Sequence, residues 1–364
     1  MRGHLAGGLI AAAMIVAGPV AAQDKVVNVY NWSDYIDESI LADFKNETGI
    51  TVNYDVFDSN EILETKLLSG STGYDVVVPT ASFLARQIQA GVFKELDKSK
   101  LPNIKNMWPV IEKRTAIYDP DNTYSVNYMW GTTGIGYNVD KVKERLGDDA
   151  PVNSWALVFD PQYAEKLKDC GITMLDAPEE IIPAALNYLN LDPNARSADD
   201  FEKAVELLKK VRPYVQKFHS SEYINGLANG DICVAIGWSG DVFQARDRAV
   251  EANNGVTIAY SIPKEGALMW FDQMAIPKDA PHPEAAMAFI NFMMKPEEIA
   301  KATNYIYYAN GNEASQQFVE KEILDDPQIY PPKEVLERLY TVKVYNPRDQ
   351  RLLTRSWTTV KSGI

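Results

Sequence analysis

Side chains that hold metals or carry redox chemistry are scarce in this chain. Its 364 residues include two cysteines and three histidines. No CxxC or HExxH spacing occurs, which removes the common dithiol and zinc motifs. His219 follows a helical run and His282 stands between two prolines, so both read as loop or surface residues. Neither lies in a motif with a Ser or Cys nucleophile. Positive charge is also short, with 36 basic residues against 50 acidic and a net charge of −14. That balance argues against nucleic acid and anionic lipid surfaces as partners. Long apolar runs are absent beyond Leu9 to Val20. That run is shorter than the ~20 residues of a membrane span. It follows a basic Arg2 and precedes the small residues Ala21 and Ala22, the pattern of a secretory signal peptide over residues 1–22. No Cys stands at the expected cleavage site, so no lipid anchor is expected there. Without this segment 35 basic residues face 50 acidic ones, a net charge of −15. In an exported chain Cys170 and Cys233 favour one disulfide, the alternative being two buried thiols. Such a bridge would close a loop of roughly 60 residues, worth about 4 kcal/mol in the chain-entropy model.

Aromatics are plentiful, with 19 Tyr and 7 Trp. The N-terminal part alternates strand and helix patterns. Val26 to Tyr30 is an apolar strand; Glu38 to Thr48 carries a helical stripe of Ile40, Leu41 and Phe44, stopped by Gly49. Ile50 to Phe57 alternates as a strand, and Asn60 to Ser69 reads as a helix. Tyr74 to Pro79 contains Val76-Val77-Val78, suited to a strand covered on both faces, and Ser82 to Ala90 is the next helix. This βαβαβ order implies a parallel sheet with right-handed crossovers. Tyr124 to Asn138 reads as an extended crossover between two lobes. Its glycines, Gly131, Gly134 and Gly136, are spaced GxxGxG rather than GxGxxG, and fit close backbone contact and hinge freedom. The second lobe repeats the design. A strand at Cys170 to Leu175 precedes a helix opened by Pro178, Glu179 and Glu180. Ala198 to Phe218 forms a long helix interrupted near Pro213, and a short helix covers Ser221 to Ala228. The buried strand Ile232 to Ile236 leads into a helix over Val242 to Ala252. Helices over Pro283 to Met294 and Pro296 to Thr303 lead to an aromatic patch at Tyr305 to Tyr308. The tail with Arg348, Arg351, Arg355 and Lys361 reads as a solvated or lobe-wrapping face.

Three aromatic–carboxylate clusters fall at strand ends or crossovers: Trp32-Ser33-Asp34-Tyr35, Trp238-Ser239-Gly240-Asp241 and Trp270-Phe271-Asp272. In a parallel sheet Trp32-Ser33-Asp34, Asp58-Ser59 and Thr80 share the C-terminal rim, where open α/β sheets put their ligands. An aromatic face beside a carboxylate suits a cationic amine, through cation–π contact and a charged hydrogen bond. A structural reading of the first cluster has Ser33 or Asp34 capping the next helix and Trp32 in the core. Paired carboxylates also serve glycosidases, and aromatics with carboxylates suit sugars, so an exported carbohydrate-active enzyme is the alternative. It leaves the third acid without a task. A receptor for a diamine uses all of them, with acids for each ammonium and flat apolar walls for the methylenes.

The motifs YNWSDYI (Tyr30 to Ile36), DVFDSNE (Asp55 to Glu61), GYDVVVPTASFL (Gly73 to Leu84), TTGIGYNVDKV (Thr132 to Val142), LDAPEE (Leu175 to Glu180), LANGDICVAIGWSGD (Leu227 to Asp241) and SIPKEGA (Ser261 to Ala267) closely resemble the periplasmic putrescine-binding proteins of bacterial ABC importers. The resemblance runs through TRSWTTVKSG at Thr354 to Gly363. It implies a type II periplasmic binding protein: two α/β lobes, each a mainly parallel sheet flanked by helices, joined by crossover strands. The expected lobes are 23–130 plus about 255–305, and about 131–254 plus 306–364. It also implies polyamine contacts from Trp32, Ser33, Asp34, Tyr35 and Thr80 on one side and Glu180, Trp238 and Asp241 on the other. Asp272 would bind an ammonium, Trp270 would wall the methylenes and Tyr308 would complete the aromatic box. The family usually has Ser where Thr80 stands, which keeps the hydroxyl, and its disulfide matches Cys170 and Cys233. Some relatives carry Phe at position 270; the larger Trp270 would shorten the pocket and favour a diamine over a triamine, against a spermidine-preferring receptor. The expected partners are putrescine or a close polyamine and an inner-membrane permease, for a monomer with no cofactor and no metal.

Overall fold

Ten strands form one continuous hydrogen-bonded network in the computed structural model, which describes residues 25–363. The expected signal peptide lies outside the described residues. β1 (Val26–Trp32) lies parallel to β2 (Thr51–Phe57) and β3 (Val76–Val77). Val76, Val77 and Val78 are buried, as a strand covered on both faces requires. The connecting helices Ser39–Thr48 and Asn60–Ser69 start and stop where their chemistry dictates. Ser59 Oγ accepts the amide of Ile62 at the second, and Gly49 closes the first at φ 70°, a left-handed conformation that glycine reaches without strain.

β4 (Ser125–Asn138) is the axis of the molecule. Its first part runs antiparallel to β9 (Met269–Ala275) and β10 (Ala309–Asn310). Its second part, from Thr133, runs antiparallel to β7 (Val234–Trp238) and β8 (Ile258–Ser261). β7 continues in parallel to β5 (Ile172–Met174) and from there to β6 (Lys217–Phe218). The order β2-β1-β3-β9-β4, with β9 antiparallel to β3, and its counterpart β4-β7-β5-β6 give two helix-flanked lobes sharing β4. This is the two-lobed α/β architecture of a type II periplasmic binding protein. Each lobe is parallel at its outer three strands and antiparallel where the crossovers enter.

Several elements differ from the sequence expectation. β8 pairs with the second part of β4, although residues 255–305 were expected in the first lobe. β10 pairs with Met129 and Trp130 of the first part, although residues 306–364 were expected in the second. Strand pairing across a shared strand is a long-range property that local pattern does not carry. The long helix ends at Val211; a 3-10 turn through Pro213 follows, and Lys217–Phe218 joins the sheet edge instead of continuing the helix. The basic tail agrees with the lobe-wrapping alternative: it is the helix Pro347–Ser362, which buries Leu353, Trp357 and Val360 and packs on the helices Pro178–Tyr188 and Ala198–Val211. His282 is less peripheral than expected: its amide and Nδ1 meet the fully buried Asp75 at 2.5 and 3.0 Å.

Cys170 and Cys233 are joined, with Cα atoms 5.5 Å apart and a separation of 63 positions along the chain. The bridge ties the entry of β5 to that of β7 inside the second lobe. Replacing both cysteines by serine is expected to destabilise the protein by about 2–5 kcal/mol. Urea unfolding checks this, and an unchanged midpoint would mean that the bridge contributes nothing to stability.

Candidate ligand-binding site

The strand ends of the two lobes face each other across a cleft of about 450 Å3, including space continuous with solvent. From the first lobe, Trp32 and Ser33 come from the end of β1, and Tyr35 from the turn that follows. Thr80 precedes the helix Ala81–Gln89, and Trp270 and Asp272 come from β9. Two residues apart on a strand, they share one face. From the second lobe, Glu180 stands in the first turn of the helix Pro178–Tyr188, Trp238 ends β7, and Asp241 opens the helix Ser239–Ala252. Tyr308, just before β10, closes the circle.

Three carboxylates dominate the chemistry, and all their hydrogen-bond donors are neutral. Asp272 receives Tyr35 Oη at 2.8 Å and Thr80 Oγ1 at 2.7 Å. Asp241 receives Tyr223 Oη and Tyr308 Oη, each at 2.6 Å. Glu180 receives Trp238 Nε1 at 2.9 and 3.0 Å and the hydroxyl of Thr133. Burial pushes their pKa values up, to about 7 for Glu180 and Asp272 and about 6 for Asp241. The hydroxyl and indole donors pull the other way by solvating the charged form, and neighbouring carboxylates add to the rise.

The aromatic walls are set by glycines that give them room. A Cβ at Gly131 of β4 would stand 2.7 Å from the Trp270 ring, and one at Gly240 would stand 2.4 Å from the Tyr308 ring. A Cβ at Gly237 would stand 2.5 Å from Tyr223, whose hydroxyl holds Asp241. Gly131 of the GxxGxG stretch therefore serves close packing. Trp32 is fixed by its Nε1 donating to Val78 O at 2.9 Å, and it meets Trp238 edge-on across the cleft at 5.5 Å. Trp270 and Tyr35 each lie close to Tyr308, at 5.3 and 5.2 Å between ring centroids. The Trp270 indole N–H is buried without a hydrogen-bond partner among the described residues.

Ten of the eleven residues expected from the sequence line this cleft, and Asp34 does not. Asp34 has φ 54°, which turns the chain away at the lip, and its side chain is 42 % exposed. It pairs with Arg248 of the other lobe at 2.6 Å instead. Nor does it cap a helix, since the next one begins at Ser39. Asp58, Ser220 and Ser221 also line the cleft. Asp58 was legible as a strand-end residue. Ser220 and Ser221 carried no signal, because they follow the edge strand that local pattern read as helix.

The model of the bacterial extracellular solute-binding protein family matches residues 39–331. The chain belongs to this family. It is 54% identical over 364 residues to a putrescine-binding periplasmic protein of Escherichia coli, covering 100% of this chain and 98% of that one. It is 55% identical over 356 residues to a putrescine-binding periplasmic protein of Pseudomonas aeruginosa, covering 96% and 97%. Among solved structures, a spermidine/putrescine ABC transporter protein of Listeria monocytogenes superposes with a TM-score of 0.82 at 34% identity, covering 93% of this chain and 99% of that one. No helix among the described residues is long and apolar enough to cross a membrane.

The raised carboxylates make stability depend on pH in a definite direction. The folded protein holds protons near pH 6 that the unfolded chain, with ordinary carboxyl groups, releases. The three groups therefore oppose folding fully above about pH 7, and the penalty disappears as pH falls toward about 4. The melting temperature of the ligand-free protein should rise less steeply, or fall, between pH 5 and 8 compared with Asp272→Asn, which removes one such group. Parallel profiles for the two proteins would show that Asp272 is not titrating in this range.

Proposed function

We propose that this protein is a periplasmic receptor that captures putrescine between its lobes and delivers it to an ABC permease, performing no chemistry on it. The observation that carries this reading is the set of three carboxylates in an aromatic-walled cleft, none of them hydrogen-bonded to a cationic side chain. Each costs free energy to bury unpaired, and a dication removes that cost at two points. Trp32, Tyr35, Trp238, Trp270 and Tyr308 cover the methylenes and present their π faces to the charge. Four buried methylenes give about 3 kcal/mol. Charge-assisted hydrogen bonds add about 1.5–3 kcal/mol each before ordering costs. A micromolar affinity, about −8 kcal/mol, is within reach. The relatives named for putrescine support the choice of ligand, and the sequence pattern of residues 1–22 supports export. We place the lobe change-overs at Thr132/Thr133 in β4, at about residues 262–268 between β8 and β9, and at about residues 326–345.

Calorimetric titration of the ligand-stripped, folded protein with putrescine, cadaverine, spermidine and maltose tests this. One-to-one putrescine binding is expected, weakened about tenfold or more by Asp241→Asn or Asp272→Asn. Absence of any polyamine binding would overturn the reading, and a loss below twofold for both variants would remove these acids from the site.

Trp270 lines both this cleft and the cavity that adjoins it, and we infer that its indole limits the length of ligand the cleft accepts. Trp270→Phe should raise spermidine affinity relative to putrescine. An unchanged ratio would show that the indole does not limit ligand length.

A further inference from the structure

A second cavity of about 380 Å3, again including space open to solvent, adjoins the first and shares Thr80, Glu180 and Trp270 with it. The one carboxylate it adds is Glu179, which is 5 % exposed. A polyamine too long for the first cavity would carry its next ammonium past Trp270 toward that group. Glu179 is already taken. Arg86 Nη1 donates to Glu179 Oε1 at 2.6 Å, while Arg86 Nε and Nη2 grip Glu64 at 2.6 and 3.1 Å. The guanidinium carbon lies 3.7 Å from the centroid of the Phe83 ring, and Phe83 lines the same cavity. The arginine is only 15 % exposed, so water screens this arrangement little.

Resting on the polyamine reading above, we propose that Arg86 is a specificity-determining residue: by neutralising Glu179 it denies a third ammonium its partner and so favours diamines over triamines. The same cation raises the potential of the second cavity, which a further positive charge would have to enter. Arg86 never needs to touch a bound diamine to have this effect, since its contacts with Glu179, Glu64 and Phe83 lie beyond the first cavity's lining. If Arg86 served only to bridge the two lobes, its loss would weaken every ligand by one common factor. The ratio of affinities separates the two roles.

The test titrates putrescine and spermidine into the wild type, Arg86→Gln, Glu179→Gln and the double variant, each stripped of ligand and checked by thermal melting. Arg86→Gln is expected to shift the spermidine-to-putrescine affinity ratio toward spermidine by about tenfold or more, the size of one charge-assisted hydrogen bond. The double variant, with no free carboxylate at position 179, should return the ratio to within about threefold of the wild type, and Arg86→Lys should keep it by keeping the charge. An unchanged ratio in Arg86→Gln overturns the proposal, as does a shift that survives in the double variant. Should Arg86→Gln fail to fold, Arg86→Met keeps the apolar contact with Phe83 and carries the same expectation. Wild-type protein that binds no polyamine refutes the polyamine reading itself. Wild-type binding of putrescine with an unmoved ratio refutes only the role of Arg86.

Discussion

Three carboxylates are held in a cleft whose protein partners are all uncharged, and most other features of the molecule follow from that constraint. Asp241 and Asp272 are nearly inaccessible to water, and Glu180 is half-buried against an indole and a hydroxyl. Hydroxyl and indole donors orient these groups and partly solvate their charge, but they bring no compensating cation. A ligand-free closed cleft is therefore electrostatically unsatisfied. Either protons or a cationic ligand relieve it, and opening the lobes to water is the third route. A receptor gains from this. The free energy that closure lacks without ligand is supplied by the molecule it is meant to catch, so lobe closure is coupled to cation binding.

The steric frame is as specific as the charges. Large aromatic rings reach the cleft only because glycines stand opposite them: Gly131 for Trp270, Gly240 for Tyr308 and Gly237 for Tyr223. Gly240 shows how tightly function and backbone are joined. It lets Tyr308 lie against the start of a helix, where the phenol accepts the amide of Asp241 at 3.1 Å and donates to its carboxylate. One ring thereby satisfies an otherwise orphaned helix amide, orients an acid and forms a wall of the cleft.

Much of this was legible in the chain, for identifiable reasons. The βαβαβ order and the strand-end positions of Trp32, Thr80 and Trp238 followed from local periodicity. The grouping of Trp270 with Asp272 followed from an aromatic–carboxylate cluster, and strand alternation supplies the physical reason. The echo between Trp32-Ser33-Asp34 and Trp238-Ser239-Gly240-Asp241 misled at one place. Asp241 enters the cleft on the first turn of a helix, whereas Asp34 sits in a left-handed turn that carries its carboxylate to the lip. A short motif does not specify which of those two backbones follows. Tyr223 and Arg86 were not legible at all, because their partners lie 18, 22 and 93 positions away and only the fold brings them together. The pairings of β8 and β10 were hidden for the same reason, since both strands join a strand that runs through both lobes.

Among the described residues two ion pairs join the lobes, and their polarities are opposed. The first lobe offers an anion, Asp34, to Arg248, and a cation, Arg86, to Glu179. Their exposures separate their physical roles. Asp34 and Arg248 are 42 % and 33 % exposed, where water screening leaves an ion pair about 0–1 kcal/mol. The side chains of Arg86 and Glu179 are 15 % and 7 % exposed, where breaking the pair strands a charge in a dry site. The outer pair can therefore form and break as the cleft opens with little effect on the balance. The inner pair is different in kind, because closure buries it against the same aromatic wall that bounds the ligand. Opening rehydrates both of its charges, which moderates the loss of their contact. Its influence thus falls on what the closed state will accept, more than on whether the state forms. Glu179, held by this pair, and Glu180, one of the three cleft carboxylates, stand only one residue apart on the first turn of one helix.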